Sequence, residues 1–527
     1  MNISNHLTAG LVMAALAMLT TPHPALAAPE VEKPGSRYLQ CDGLPNNMTT
    51  GESAARLLGA LTLLAVFAPD PESVDISKRK FGAEGVAVCT SLIEGETKEG
   101  DPDRRIGLIL GRAVHRIEAK DLDAALADVA MARGEAVAAG LMADPYYARS
   151  RGRSFDQLDA AILFRQGKAA EAQAAMLRGT DALKHSPLEF LQLRYSFALP
   201  KASDTELQYL DWGSRAGINF GGYWADRLDE LGRFAEAARL RDALTDYNKA
   251  TTPDKRASLW IALAAISHAL AGDKAVAAER AAEARANFDA RKAQGKPEDS
   301  AVQFIEAMDL YGILAAMDAG DVKSARRLFA ARSEWVASSF GVVLEVNRRL
   351  RAGAAPDELI GGLAKGPEAL WAQRADARRA ELLAKDSDNK TLFWKIDSAI
   401  SASAYEALSK TVWRTEKSTM VLKPKQLLKN ESKAEVMALF NTEWPVALEA
   451  YMMHAALLAR SRGHQGFVIA PIFQENSVAA GFLTGNRGAP GLPDALFNDA
   501  NTVIADMSPL FPDSATLKAR RAVKPKS

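Results

Sequence analysis

Between residues 104 and 379, apolar and small residues recur three and four apart over one stretch after another, the spacing that lines one face of a helix. Short turns punctuate the pattern at Lys120-Asp121, Gly167-Lys168, Gly232-Arg233, Gly272-Asp273 and Gly320-Asp321. Five residues after the first member of each turn stands an alanine: Ala125, Ala172, Ala237, Ala277 and Ala325. Seven residues before it stand Ala113, Ala160, Ala225 and Ala265, with Ile313 as the exception. Antiparallel helices joined by so short a turn approach most closely where the facing residues are small. The pattern therefore predicts successive helix pairs, each with an alanine crossing.

The flanks read differently. Residues 28–100 predict a first module: a helix over Ser53–Phe67, a break at Pro69-Asp70-Pro71, and a second helix leading to Cys89. The array itself occupies 101–384. From 385 to 517 the pattern predicts helices over 389–411 and 433–462, the second broken at Pro445. It then predicts strands at Gly466–Ala470 and Val478–Leu483, a hairpin around Gln474-Glu475-Asn476, and a last helix over 493–507. The basic stretch 518–527 reads as a disordered tail. The fold class expected is mainly α, an array of helical hairpins with a small α+β module at the C-terminal side.

The small residue near the middle of the first helix, the Gly-Asp turn and the alanine on the second helix, as in Ala265, Gly272-Asp273 and Ala277, resemble the tetratricopeptide repeat proteins. That likeness covers about half the chain and implies a solenoid whose first helices line a concave groove. Successive turns here are 47, 65, 40 and 48 residues apart, where the family repeats at about 34, so the array implied is degenerate. The family register places Leu110, Val114 and Ile117, then Leu259, Ala262 and Ile266, then Leu310, Leu314 and Met317 at groove positions. These are apolar, and the Lys and Asn with which the family's carboxylate clamp holds a peptide C-terminus are missing there. The polar candidates at or beside groove positions are Gln157, Arg165, Asp226, Asp229 and Glu230. The three acids form a cluster that fits a basic partner segment.

A compartment follows from the first residues. The first 28 carry no Lys, Arg, Asp or Glu, and Leu7–Leu19 is an apolar run too short to span a bilayer but of the length of a signal h-region. Ala25 and Ala27 suit signal peptidase, which predicts a signal peptide over 1–27 and a periplasmic or secreted protein. Cys41 and Cys89 are the two cysteines of the chain, and an even pair in an oxidising space predicts a disulfide. Closing that loop stabilises the fold by about 4 kcal/mol in the chain-entropy model.

Composition and chemistry narrow the function. The 527 residues balance 65 Lys+Arg against 65 Asp+Glu, leaving no net field to attract nucleic acid. There is no Gly-x-Ser-x-Gly elbow, His-Glu-x-x-His, Walker loop or EF-hand loop. No His stands three or four residues from another His or Cys, so no cofactor or metal is expected. The sequence thus predicts a protein- or peptide-binding scaffold of the cell envelope, without catalysis and without a transmembrane segment in the mature chain. The alternative is an enzyme acting on cell-wall glycan or peptide, with His454, His464 and Glu475 in its active site.

Overall fold

The five turns that punctuate the sequence carry left-handed backbone. In a computed structural model of the chain, Lys120, Gly167, Gly232, Gly272 and Gly320 all have φ between 63° and 93°, the region that glycine enters without steric cost and that ends a helix abruptly. The structure describes residues 35–46, 72–96, 98–186, 201–251, 257–335, 339–385, 402–414, 435–440, 444–474 and 477–523, with isolated positions 196, 199, 392, 393 and 396. The expected signal peptide and the expected helix over Ser53–Phe67 lie outside these residues.

The chain is mainly helical. It opens with α1 (Arg37–Asp42), α2 (Gly82–Glu94), α3 (Pro102–Glu118), α4 (Leu122–Ala138), α5 (Pro145–Arg149), α6 (Arg151–Arg165) and α7 (Ala169–Leu177). Then come α8 (Asp204–Ala216), α9 (Asn219–Glu230), α10 (Phe234–Thr251), α11 (Ser258–Ala271), α12 (Lys274–Ala293), α13 (Ala301–Asp318), α14 (Val322–Ala330), α15 (Phe340–Arg351) and α16 (Pro367–Lys385). Each predicted turn joins a packed pair: α3 with α4, α6 with α7, α9 with α10, α11 with α12, and α13 with α14. The small residues stand where predicted. All five alanines after the turns, and the four alanines and Ile313 before them, are at most 1% exposed. Local chemistry starts the helices: the Asp101 carboxylate caps α3 through Arg104 N at 2.9 Å, ahead of Pro102 in the first turn, and Asp321 caps α14 through Ser324 N.

Successive pairs pack on one another through α4 against α6, α10 against α11, and α11 against α13. The apolar groove positions are closed by this packing. Leu110, Val114, Ala262, Ile266 and Leu310 are fully buried and Ile117 and Leu314 nearly so, because the neighbouring helices and α1–α2 lie on them. These positions are filled by neighbouring helices, with Leu259 and Met317 left half-buried at the margin.

The N-terminal helices belong to that core. Cys41 and Cys89 are bridged, with Cα atoms 5.0 Å apart and neither residue exposed. Around the bridge His115 Nε2 donates to the Cys41 carbonyl at 2.7 Å, and Arg104 grips the buried Asp42 carboxylate through both its amino groups. Leu392, Phe393 and Ile396 join the same cluster as Leu92, Ile109 and Phe155. The described residues of α1 and α2 thus share one core with the first hairpin.

The C-terminal part contains α17 (Ala402–Val412), β1 (Glu435–Phe440), α18 (Trp444–Ser461), β2 (Gly466–Gln474), β3 (Ser477–Gly485), β4 (Asn498–Asp499), α19 (Ala500–Met507) and α20 (Ser514–Val523). The sheet is antiparallel in the order β1-β3-β2-β4, with Gly466 opposite Gly485 and Gln474 opposite Ser477 across the predicted hairpin. Three expectations change here. A strand, β1, replaces the first part of the helix expected from Lys433, and α18 begins at Trp444-Pro445. The helix expected over 493–507 is a 3-10 turn and a short strand before α19. The basic stretch from Lys518 continues α20 as far as Val523.

Side-chain alternation along β2 explains how this part sits. Phe467 and Ile469 face the cluster built around Tyr451 and Met452 of α18, whereas Val468 between them joins Leu240, Leu244 and Tyr247 of α10. The first half of β2 is thus buried on both faces, one by α18 and one by the helical array.

Candidate functional site

The predicted acids lie on α9, where Asp226, Asp229 and Glu230 share a face by their three- and four-residue spacing. From α10, Arg241 Nη2 donates to Asp229 Oδ2 at 2.7 Å and to Asp226 Oδ1 at 2.9 Å, and Nη1 reaches Ser267 Oγ on α11. Arg227 bonds Glu206 Oε1 of α8 at 2.7 Å and also Glu230. Asp229 and Glu230 are consequently internal counter-charges, with side chains 0% and 7% accessible. Of the three acids expected to receive a basic partner segment, Asp226 is the most accessible, its side chain 46% exposed.

Asp226 is wetted on one side and surrounded by protein on the others. Burial pushes its carboxyl up to about 6; Arg241 opposes this, and the nearby Asp229 and Glu230 charges add to it. Burial also raises Glu230, against Arg227 and Arg374. Arg374 lies over the Phe340 ring, 4.3 Å from its centroid. A cationic group from outside would find Asp226 as the one accessible carboxylate of the three. Gln157 and Arg165 stand elsewhere, on α6 of the preceding hairpin. Gln157 is half-buried and Arg165 Nη1 folds back onto the Ala161 carbonyl at 2.8 Å.

Of the three residues of the enzymatic alternative, the two described ones stand apart from solvent to different degrees. His454 is fully buried within α18 and donates from Nδ1 to the Val412 carbonyl at 2.8 Å. His464, half-buried beyond the end of α18, bonds Thr484 Oγ1 at 2.9 Å, and Glu475 lies outside the described residues. His268 pairs with Asp242 at 2.9 Å, beside Arg280. Among the described residues no group of three or more His, Cys, Asp or Glu is placed to hold a metal ion.

Sequence reasoning missed a cavity of about 280 Å³ where the array meets the C-terminal part, between α5, the turn Asp181–His185 and the end of α19. His185 Nε2 and Lys184 Nζ both bond Asp506 Oδ2, at 2.9 and 2.8 Å. Burial holds the His185 imidazole below its ordinary value despite the Asp506 bond. Burial works against the Asp506 charge too, but the bonds from Lys184 and His185 outweigh it and lower its carboxyl. Behind them Arg149 pairs with the buried Glu449, which also accepts from Tyr405 Oη at 2.7 Å. His185 and Asp506 are 321 positions apart, so no local motif could have joined them. No family model, curated protein or solved structure matches the chain.

Proposed function

We propose that the chain is an exported, periplasmic protein- or peptide-binding scaffold built on degenerate tetratricopeptide-like hairpins, acting by binding and not by catalysis. Asp226 receives a basic side chain of the partner. The observation that carries this reading is the unequal exposure of the three acids: all three pair with arginines, but Asp226 alone keeps an accessible carboxylate. A cation brought there regains Coulomb energy at a reduced effective dielectric, which is worth more than the same contact on an open surface. The buried disulfide fits an oxidising compartment. The enclosure of His454 in the core weakens the enzymatic alternative.

The test is crosslinking in the cell envelope followed by identification of captured proteins, comparing the unaltered chain with Asp226→Lys. Asp229 and Glu230 are left in place because their charges hold Arg241 and Arg227. Partners crosslinked through Lys- or Arg-rich segments are expected to disappear with the variant. Identical captured sets from the two chains would overturn the reading.

A further inference from the structure

The cavity between the array and the C-terminal part has the make-up of a binding site for a small amphipathic acid. Alanine, proline, Met507 and Leu510 side chains give it apolar walls, and its polar edge is Arg149, Lys184 and His185 with two carboxylates, Asp506, which Lys184 and His185 hold, and the exposed Asp181. At about 280 Å³ it accommodates a single apolar side chain with its backbone groups, near the lower end of ligand pockets.

The polar edge is specific in what it offers. Arg149 is 7% exposed, and its Nη2 and Nε are taken by Glu449 and Tyr405. Nη1 has no such bond, and since Arg149 is a lining residue this is the donor left for a ligand. Lys184 Nζ, one third accessible, has two further hydrogens beyond the one given to Asp506. Both favour a carboxylate. His185 is different. Its Nε2 must carry hydrogen to bond the Asp506 carboxylate, so the neutral ring presents Nδ1 as an acceptor. A ligand that satisfies all three therefore carries a carboxylate and an N–H close together, beside an apolar group.

We propose that this cavity binds an N-acylated apolar amino acid, its carboxylate between Arg149 and Lys184, its N–H toward His185 Nδ1 and its side chain against Met507 and Leu510. The same chemistry is carried by a free small molecule or by the last residue of a polypeptide. The site is separate from Asp226, and either can fail without the other.

The test is calorimetric titration of the full mature chain with N-acetyl-leucine, with its amide, and with a heptapeptide ending in a free leucine. The acid is expected to bind, and replacing its carboxylate by an amide to weaken binding by about tenfold or more, the scale of a charge-assisted hydrogen bond. Ala182→Trp, at an exposed position on the cavity wall, fills the cavity and abolishes binding with an unchanged circular dichroism spectrum and urea midpoint. Lys184→Met lowers the preference for acid over amide. Binding of the peptide as tight as that of the acid assigns the site to a chain terminus, and binding of the acid alone assigns it to a small molecule; both support the chemistry. Absence of binding to the unaltered chain, equal binding of acid and amide, or binding retained by a folded Ala182→Trp chain overturns it.

Discussion

Arg241→Met tests whether the helical array depends on its internal charges. Arg241 is 4% accessible at its side chain and meets Asp229, whose side chain is fully buried, together with Asp226 and Ser267. Methionine fills most of the same volume, so the change leaves a negligible cavity and isolates the charge. What remains is a buried, uncompensated Asp229, and breaking such a pair from one side costs about 3–5 kcal/mol. Asp229→Asn in the same chain removes the stranded charge, and the double variant is expected to recover at least about 2 kcal/mol of that loss. Urea unfolding followed by tryptophan fluorescence reports the region, because Trp224 and Trp260 pack on the cluster containing Leu228 and Leu240. The midpoint should fall for Arg241→Met at unchanged slope and return for the double variant. A loss below about 1 kcal/mol, or two substitutions whose effects simply add, would refute the argument that Arg241 neutralises Asp229 within the fold.

Two further outcomes follow from the geometry. Lys120 holds φ 63° where the other four turns place glycine, so Lys120→Gly should raise the free energy of urea unfolding by up to about 1 kcal/mol, and Gly272→Lys, whose new Cβ meets nothing within 4 Å, should lower it by about as much through backbone strain alone; midpoint shifts of the same sign would contradict this. Asp226 is raised in the folded chain to about 6, so the fold binds its proton more tightly than the unfolded chain and loses stability as pH rises from about 4 through about 6. Asp226→Asn should match the unaltered chain near pH 4 and exceed its stability at pH 7 by about 1 kcal/mol, the accessible side chain screening the rest; a difference that stays flat across that range in urea titrations would rule this out.

The hairpins were legible because everything that specifies them is local. A left-handed turn residue, in four of the five a small residue seven before it, and an alanine five after it lie within one stretch of chain. The β2–β3 hairpin was legible for the same reason, since Gly466–Ala470 and Val478–Leu483 pair across a short turn. β1 was not. Val436-Met437-Ala438-Leu439-Phe440 is a short apolar run next to a long helix, and periodicity over so few residues does not separate a strand from a buried helical turn. Its identity comes from β3, which lies about forty residues on and supplies the hydrogen bonds. The acids on α9 show the same limit. Their common face was visible in the spacing, but Arg241 and Arg227, which decide that Asp229 and Glu230 point to counter-charges and only Asp226 meets water, come from other helices or turn inward.

The two-sided burial of β2 gives the junction cavity its geometry. A sheet covered on one face only would form a module free to change its angle against the array, and the positions of Asp506 and His185 would then vary with that angle. Val468 packed into the α10 cluster, between Phe467 and Ile469 packed on α18, removes that freedom. Apolar burial supplies most of the holding energy but is indifferent to small slips along the strand. The polar contacts across the junction are not. Arg149 to Glu449, Tyr146 Oη to the Leu510 carbonyl at 3.1 Å, and Asn498 Nδ2 to the Arg215 carbonyl at 2.6 Å each tolerate displacement of only a fraction of an ångström. A buried ion pair such as Arg149–Glu449 contributes little net stability against an apolar pair of the same size, yet a slipped register leaves both charges unpaired. Its place here is best understood as fixing how the C-terminal part docks, and through that docking it sets the spacing of Arg149, Lys184 and His185 around the cavity.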